Sequence, residues 1–161
     1  MENIWQNSEI IAWTQIILNS YYQLLNTELI DRTVPLYDQK SDKLTQSKNL
    51  FYLDRVVYSH NTDLDPIYNY SNKKGLELWE MDWQQLTNTP SRMTTQPLLR
   101  EEREKLLQET ISKGYIQNYQ GIRISRTGKK YLIKDITVWN LTDNEGKFCG
   151  QAATFSQWDL L

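Results

Sequence analysis

The stretch SHNTDLDPIYNYSN places the only histidine of the chain, His60, close to Asp63 and Asp65. An imidazole and two carboxylates could bind a metal ion or exchange protons with a substrate. Zinc sites usually take about four ligands, often His or Cys, and calcium sites need more oxygen ligands than this stretch offers. Asp65 precedes Pro66, whose fixed φ favours a turn. We therefore interpret the stretch as a turn between two strands and predict no metal site.

The rest of the sequence offers no evident set of catalytic residues. A serine or cysteine nucleophile would have to use His60, the only imidazole, as its base. Cys149 lies in an apolar stretch typical of a strand, and Ser91 has no base close to it in the sequence. The phosphate-binding pattern GxxxxGK[ST] is absent. We predict that the chain is not an enzyme.

Composition places further limits on function. The chain has 161 residues, enough for one domain with a hydrophobic core. A net charge of −2, with both signs interspersed, argues against a nucleic-acid binder, which would carry a basic face. A single cysteine excludes an intramolecular disulfide and favours a reducing compartment. With neither a signal-peptide pattern nor a membrane-spanning apolar run, we expect a cytoplasmic protein without membrane contact.

Residues 8–26 carry apolar side chains at steps of three and four residues, which predicts an amphipathic helix. The apolar stripe is wider than one packing face requires. The helix could pack on the rest of the domain alone, or it could pack on a second subunit as well. If it forms an interface, the residues that we expect there are Trp13, Ile17, Tyr21 and Leu24.

The remaining segments predict an alternation of strands and helices. Residues 31–48 are polar and aperiodic, which is typical of a linker, and residues 50–60 are apolar and aromatic like a strand. A turn, the short strand IYNYSN and short helices follow. A longer helix should have Pro97 in its first turn and end at Gly114. Residues 115–158 predict three antiparallel strands joined by the turns SRTG and TDNEG.

These elements predict an α+β fold. We expect a five-stranded antiparallel sheet with helices on one face, plus an N-terminal flanking helix. The composition divides the chain into residues 1–48, which hold the helix and linker, and residues 49–161, which hold the main domain.

The order of the elements is similar to that of a PAS domain. The chain resembles the MEKHLA domain, a PAS-related family, in the stretches SHNTDLDPIYNYSN, LELWEMDW, PSRMT, REEREKLL and GYIQNYQGIRISRTGKKYLIKDITVWNLTDNEGKFCGQAATF. This domain also occurs in plant class III homeodomain–leucine zipper factors. The homeodomain, the zipper and the six-letter motif that names the family are absent here, so the resemblance does not imply DNA binding. The chain looks like a stand-alone bacterial or cyanobacterial form, and for that group the resemblance implies a PAS-like sensory or interaction module.

The resemblance also bears on cofactors. A flavin photoreceptor of this kind would need a reactive cysteine in the helical middle, residues 72–113, which contains none. Haem would need an axial ligand such as histidine, and His60 precedes that region. Covalent flavin and haem are therefore disfavoured and the cofactor is unknown. An organic ligand held without a covalent bond is compatible with the sequence.

A PAS-like sheet curls against its helices and can enclose a cavity there. Aromatic walls with a few polar groups suit a small molecule. The residues that we expect to line such a cavity are Tyr70, Asn72, Trp79, Arg92, Tyr119, Arg123, Trp139, Asn140 and Phe155. The aromatic side chains could instead fill a closed core. A buried arginine needs an acceptor, which Glu77, Glu80 or Asp82 could supply, and so could an anionic ligand.

Two functions remain open from the sequence. The chain could be a PAS-like sensory module that binds a small organic ligand and signals through a partner protein or its own dimer. It could instead be a protein–protein interaction or dimerisation module without a ligand. Both need a homodimer or a signalling partner.

Overall fold

The computed structural model describes residues 3–34, 39–96 and 99–161; the expected place of Pro97 in a first turn lies outside them. The α-helices are α1 (Ser8–Leu25), α2 (Lys43–Phe51), α3 (Lys73–Trp79), α4 (Trp83–Leu86) and α5 (Arg100–Lys113). The strands are β1 (Thr33–Val34), β2 (Gln39–Lys40), β3 (Val56–His60), β4 (Tyr68–Ser71), β5 (Tyr115–Ile124), β6 (Lys130–Thr142), β7 (Phe148–Phe155) and β8 (Gln157–Leu160). 3₁₀ helices with fully described bounds cover Ile4–Gln6 and Ser91–Thr94.

The main sheet is antiparallel throughout, as expected. Its strands run in the order β4-β3-β7-β6-β5, and β8 also pairs with β6. β8 continues β7 along the same side of β6 in the same register, because Thr154 pairs with Thr137 and Gln157 pairs with Lys134. Pairing is interrupted at Ser156, close to Asp135 of β6, whose φ is +51°. The expected five strands are therefore present, with the last one broken in two.

Local sequence signals account for where α1 and the hairpins end. The Asn7 side chain accepts a hydrogen bond from the Glu9 amide and caps the start of α1, and Asn26 adopts a left-handed conformation after its end. Gly128 and Gly146 have φ values of +94° and +78° in the two turns of the C-terminal meander. Positive φ at these positions was expected from the turn sequences.

Helices cover both faces of the sheet. The helices α3, α4 and α5 lie over the face that carries Val56, Val138 and Phe155, whereas α1 lies over the face that carries Val57 and Trp139. The flanking helix is thus the cover of the second face, and the sheet separates two hydrophobic clusters. Within the described ranges, no helix has both the length and the apolar character needed to cross a membrane.

The apolar stripe of α1 packs on the chain's own sheet. Ile17 is fully buried, Trp13 bonds to β3, and Leu24 packs against the same hydrophobic cluster. The Tyr21 ring meets Trp139 edge to face with centroids 4.9 Å apart. These four residues were expected at an intersubunit interface. Ile17 has no surface free for a second subunit, whereas Trp13, Tyr21 and Leu24 are only partly buried, and their contact with a second subunit stays a prediction.

The expected linker contains a helix. The Asp42 side chain accepts a hydrogen bond from the Thr45 amide and starts α2, and Leu50 and Phe51 at its end are buried. The prediction of an aperiodic connector is therefore wrong for residues 43–48, because a helix of nine residues is too short to show a clear period. The first strand accordingly begins later than expected. α2 crosses the proposed boundary after residue 48, and the division of the chain into two units stays a prediction.

Candidate functional site

A cavity lies between the sheet on one side and α5 with the 3₁₀ helix Ser91–Thr94 on the other. Its volume is about 40 Å³, counted as the space that the centre of a water molecule can occupy. Part of the wall is apolar, with Leu106 from α5 and Val138 from β6. The polar side chains in the wall are Tyr58, His60, Tyr68, Ser91, Thr94, Arg103, Tyr119, Arg123 and Gln151.

Two buried arginines bring positive charge to the cavity. Arg103 of α5 is 5 % exposed and donates hydrogen bonds to the Ser91 hydroxyl and, at 3.0 Å, to Glu104, whose side chain is 59 % exposed. Arg123 of β5 is 8 % exposed, and its Nη1 donates to the carbonyl of Ile122 at 2.9 Å. Among the described residues, no carboxylate lies within ion-pair distance of Arg123. The charge in the cavity is thus incompletely balanced by the protein.

Two tyrosines stand next to these arginines. Burial raises the pKa of the Tyr58 hydroxyl, and the nearby charges of Arg123 and Arg103 partly oppose this rise. Burial also raises the pKa of the Tyr68 hydroxyl, which lies 2.6 Å from the Thr94 hydroxyl. Both phenols are therefore neutral near pH 7 and do not neutralise the guanidinium groups.

His60 ends β3 and is 8 % exposed. Its Nδ1 lies 2.8 Å from the carbonyl of Asn61, so Nδ1 carries the proton and donates it. Burial lowers the pKa of His60 to about 4, and the charge of Arg103 acts in the same direction. The ring is therefore neutral near pH 7 and Nε2 is an acceptor. That Nε2 is buried without a hydrogen-bond partner among the described residues.

The stretch after His60 forms the expected turn between β3 and β4. The Asn61 side chain accepts hydrogen bonds from the backbone amides of Asp63 and Ile67. Asp65 pairs with Arg92 at 3.0 Å. The described part of the chain brings no three His, Cys, Asp or Glu side chains together in a metal-binding arrangement.

An open pocket of about 200 Å³ lies outside the cavity, between the turn after β3 and α5. The pocket and the cavity share the side chains of His60, Leu107 and Gln151 in their walls. Leu64 projects fully into solvent at the rim of this pocket. These three shared residues therefore lie between the cavity and the outer pocket.

Some of the expected cavity residues lie on the correct face of the sheet. Tyr119 and Arg123 line the cavity. Trp79 and Phe155 belong to the hydrophobic cluster beside it, with ring centroids 6.4 Å apart and both side chains fully buried. Ligand binding by any of them stays a prediction.

The other expected residues lie outside the cavity wall, which corrects their placement. A β-bulge in β4 places Tyr70 on the face covered by α1, together with Trp139. The buried side chain of Asn72 caps α3, and Arg92 forms an ion pair at the surface. Asn140 lies at the margin, where its Oδ1 accepts a hydrogen bond from a cavity residue, Gln151, at 3.1 Å.

Sequence reasoning missed several cavity residues, among them Tyr58, Arg103 and Gln151. Arg103 had a recognisable signal, because it shares the apolar side of α5 with Leu106 and Thr110, and all three are buried. A charged residue on the buried side of a helix indicates a special environment. Tyr58 and Gln151 carried no comparable signal.

Comparisons with known structures identify the fold. The PAS domain of a protein from Colwellia psychrerythraea superposes with a TM-score of 0.62 at 15 % identity, covering 74 % of this chain and 98 % of that domain. A light-oxygen-voltage domain studied with a flavin analogue superposes with a TM-score of 0.57 at 12 % identity, covering 73 % of this chain and 84 % of the other. The chain therefore has a PAS-like fold. No curated protein gives a significant sequence match.

The cavity does not fit a flavin. Only about 40 Å³ is open to the centre of a water molecule, which is too little space for the three fused rings of an isoalloxazine. Cys149, the only thiol in the sequence, packs against the cluster under α1 and is not part of the cavity wall. Burial raises the pKa of this thiol, which makes the reactive thiolate less abundant.

A comparison of the sequence with family models agrees with the PAS-like fold and also gives the family. The family model of the MEKHLA domain matches residues 11–160, which run from the first turns of α1 to the end of β8. This range includes the helix on the outer face of the sheet as well as the PAS-like core. The chain therefore belongs to the MEKHLA domain family.

Proposed function

We propose that the chain is a non-enzymatic sensory module that binds a small organic ligand in the cavity and signals through a partner protein or its own dimer. The observation that carries this proposal is the pair of buried arginines, Arg103 and Arg123, in the cavity wall. Buried charges in a well-packed core are ordinarily paired. A wall that presents incompletely paired charge beside a small cavity is suited to a polar ligand.

The sheet offers a path from the cavity to the outer helix. Tyr58 and His60 of β3 line the cavity, and Ser59 between them accepts a hydrogen bond from Trp13 of α1. A shift of β3 on ligand binding would therefore change contacts on both faces of the sheet. In this proposal α1 carries the signal to the partner.

A second function, a protein-interaction module without a ligand, is favoured by a separate feature. An open groove of about 490 Å³ runs beside the 3₁₀ helix Ile4–Gln6 and the ends of α2 and α3. Its lining includes the half-exposed ring of Tyr52 together with the buried apolar side chains of Phe51, Leu76 and Met81. Apolar surface of this kind is a common feature of docking sites.

Native mass spectrometry of the full chain, purified rapidly and without dialysis, tests the first function against the second. The sensory proposal predicts an added small-molecule mass that dialysis removes, with a lower melting temperature afterwards. A bare chain whose melting temperature is unchanged by dialysis and by a library of small polar metabolites would contradict it. The same spectrum reports whether the chain is a monomer or a dimer.

A further inference from the structure

A third buried arginine shows how this chain satisfies a buried guanidinium group when no ligand is involved. Arg32 is 3 % exposed, and its Nε and Nη2 donate to the Glu28 carboxylate at 2.6 and 2.7 Å. Its Nη1 donates to the Asn19 side chain at 2.7 Å. Carboxylate and guanidinium are matched in both charge and geometry there.

The cavity arginines lack this arrangement. Arg123 donates to the carbonyl of Ile122 and has the Tyr58 hydroxyl within hydrogen-bonding reach, and both of these partners are neutral. Among the described residues, the one carboxylate partner of Arg103 is the largely exposed Glu104. Both groups influence the Tyr58 hydroxyl, so their charges act on the same space. The electrostatic complement that is missing from the cavity is an anion, and a carboxylate matches a guanidinium group most closely.

His60 defines a second requirement of the ligand. Its Nδ1 is engaged by the Asn61 carbonyl, which leaves Nε2 as a buried acceptor without a donor among the described residues. A buried acceptor is costly unless a donor reaches it. The ligand should therefore bring a hydrogen-bond donor as well as a negative charge.

The size and the walls of the cavity further limit the chemical class of the ligand. Only about 40 Å³ is open to the centre of a water molecule, so the ligand has only a few non-hydrogen atoms. The apolar part of the wall includes Leu106, Ile136 and Val138, which suits a carbon skeleton better than a fully polar ion such as phosphate.

We propose that the ligand is a small 2-hydroxycarboxylate of the size of glycolate or lactate. Its carboxylate accepts hydrogen bonds from Arg123 and Arg103, and its hydroxyl donates to Nε2 of His60. The ligand enters from the outer pocket between the turn after β3 and α5. This inference rests on the proposed sensory function and specifies the chemistry of its ligand.

Isothermal titration calorimetry of the dialysed full chain tests the inference with glycolate, lactate, acetate, lactamide and inorganic phosphate as probes. Glycolate or lactate should bind, and acetate, which lacks the hydroxyl, should bind about tenfold more weakly. Lactamide, which lacks the charge, should bind at least about tenfold more weakly than lactate. Equal binding of lactate and lactamide would contradict the conclusion that the ligand is an anion. Binding of phosphate alone would contradict the conclusion that the ligand is an organic acid.

Two variants and one control locate the site. Arg123→Met should remove at least about tenfold of the affinity for the hydroxy acid, whereas Arg92→Gln, which removes a surface arginine, should leave the affinity unchanged. His60→Phe should abolish the preference for glycolate over acetate. Circular dichroism establishes that each variant is folded. An equal loss of affinity in Arg92→Gln would contradict the placement of the carboxylate beside Arg123. An unchanged preference for glycolate over acetate in a folded His60→Phe would contradict the contact between the hydroxyl and His60.

Failure of this inference and failure of the proposed function are distinguishable. If none of the acids binds but native mass spectrometry finds a different small molecule on the chain, the ligand class is wrong and the sensory function stands. If the purified chain carries no small molecule, binds none of the probes and keeps its melting temperature with the library of small polar metabolites, both are contradicted.

Discussion

The indole Nε1 of Trp13 donates a hydrogen bond of 2.9 Å to the Ser59 hydroxyl and ties α1 to the central part of the sheet. The Ser59 hydroxyl in turn lies 2.6 Å from the Asn69 side-chain oxygen of β4, so the bond belongs to a network across two strands. The neighbours of Ser59 in β3, Tyr58 and His60, line the cavity on the other face. One strand therefore contacts both the candidate ligand site and the outer helix.

The first prediction concerns the packing of α1. Ile17 is fully buried against the sheet, so Ile17→Ala should lower the free energy of unfolding by about 3 kcal/mol. Ile17→Glu should unfold the chain, because it buries an unpaired charge. The exposed Tyr22 on the same helix provides the control: Tyr22→Glu should change stability by less than about 0.5 kcal/mol. Urea denaturation measures all three, and a folded, monomeric Ile17→Glu derived from a wild-type dimer would restore the interface interpretation.

The second prediction concerns the pH dependence of stability. Burial lowers the pKa of His60 to about 4, compared with about 6.5 in the unfolded chain. The unfolded state therefore binds the proton more readily, and stability is lost as the pH falls from about 6.5 to about 4. The loss from this residue should be about 3 kcal/mol by pH 4. In His60→Gln the slope of unfolding free energy against pH in that window should be smaller; an identical slope would contradict the assignment.

The third prediction concerns Glu80, which holds the β5–β6 turn. Its carboxylate accepts hydrogen bonds from Thr127 and Ser125 and pairs with Lys129 at 2.9 Å. These partners, with Thr127 first, lower the pKa of Glu80 to about 2. The stabilisation is present above the unfolded pKa of about 4.5 and is lost as the pH falls towards 2.

Thermal unfolding at several pH values checks this role of Glu80. Glu80→Gln should lower the melting temperature at pH 7 and should reduce the further fall between pH 4.5 and 2. Glu77→Gln is the matched control, because Glu77 is exposed and its one ion pair within the described part of the chain, with Lys73, is long at 3.9 Å. If both variants have the same melting temperature at pH 7, the hydrogen bonds and the ion pair of Glu80 do not stabilise the β5–β6 turn.

The fourth prediction concerns the cap of α3. The buried Asn72 side chain accepts hydrogen bonds from the amides of Val57 and Gly75 and donates to the carbonyl of Arg55 at 2.6 Å. Asn72→Ala leaves these buried groups without partners and should cost about 3 kcal/mol. The exposed cap of α4, Asp82, gives the comparison, since Asp82→Ala should cost about 1 kcal/mol. Equal costs would show that Asn72 is an ordinary helix cap.

The fold was largely predictable from the sequence because its signals are local. The apolar period of α1, and the turns at Gly128 and Gly146, indicate a helix and hairpins without reference to the rest of the chain. The prediction was wrong for residues 43–51, because a short helix that is stabilised by tertiary packing has no strong sequence pattern of its own.

The candidate site was less predictable because it depends on strand register. Tyr70 was expected in the cavity, but one bulge in β4 places it on the opposite face, while Tyr68 lies in the cavity wall. A change of one residue in register exchanges the faces of a strand, and sequence alone does not reveal a bulge. Arg123 could be selected because an arginine in an apolar strand is unusual, whereas the role of Asn72 as a cap required the structure.

The central claim is that a small molecule binds in the cavity. The most direct measurement is a ¹H–¹⁵N correlation spectrum of the dialysed chain before and after adding the low-molecular-mass filtrate of a cell lysate. The claim predicts that the Nε–H signals of Arg103 and Arg123 and the amide signals of Tyr58 and His60 shift, while those of Arg92 do not. An unchanged spectrum, or shifts confined to the groove lined by Phe51, would contradict it.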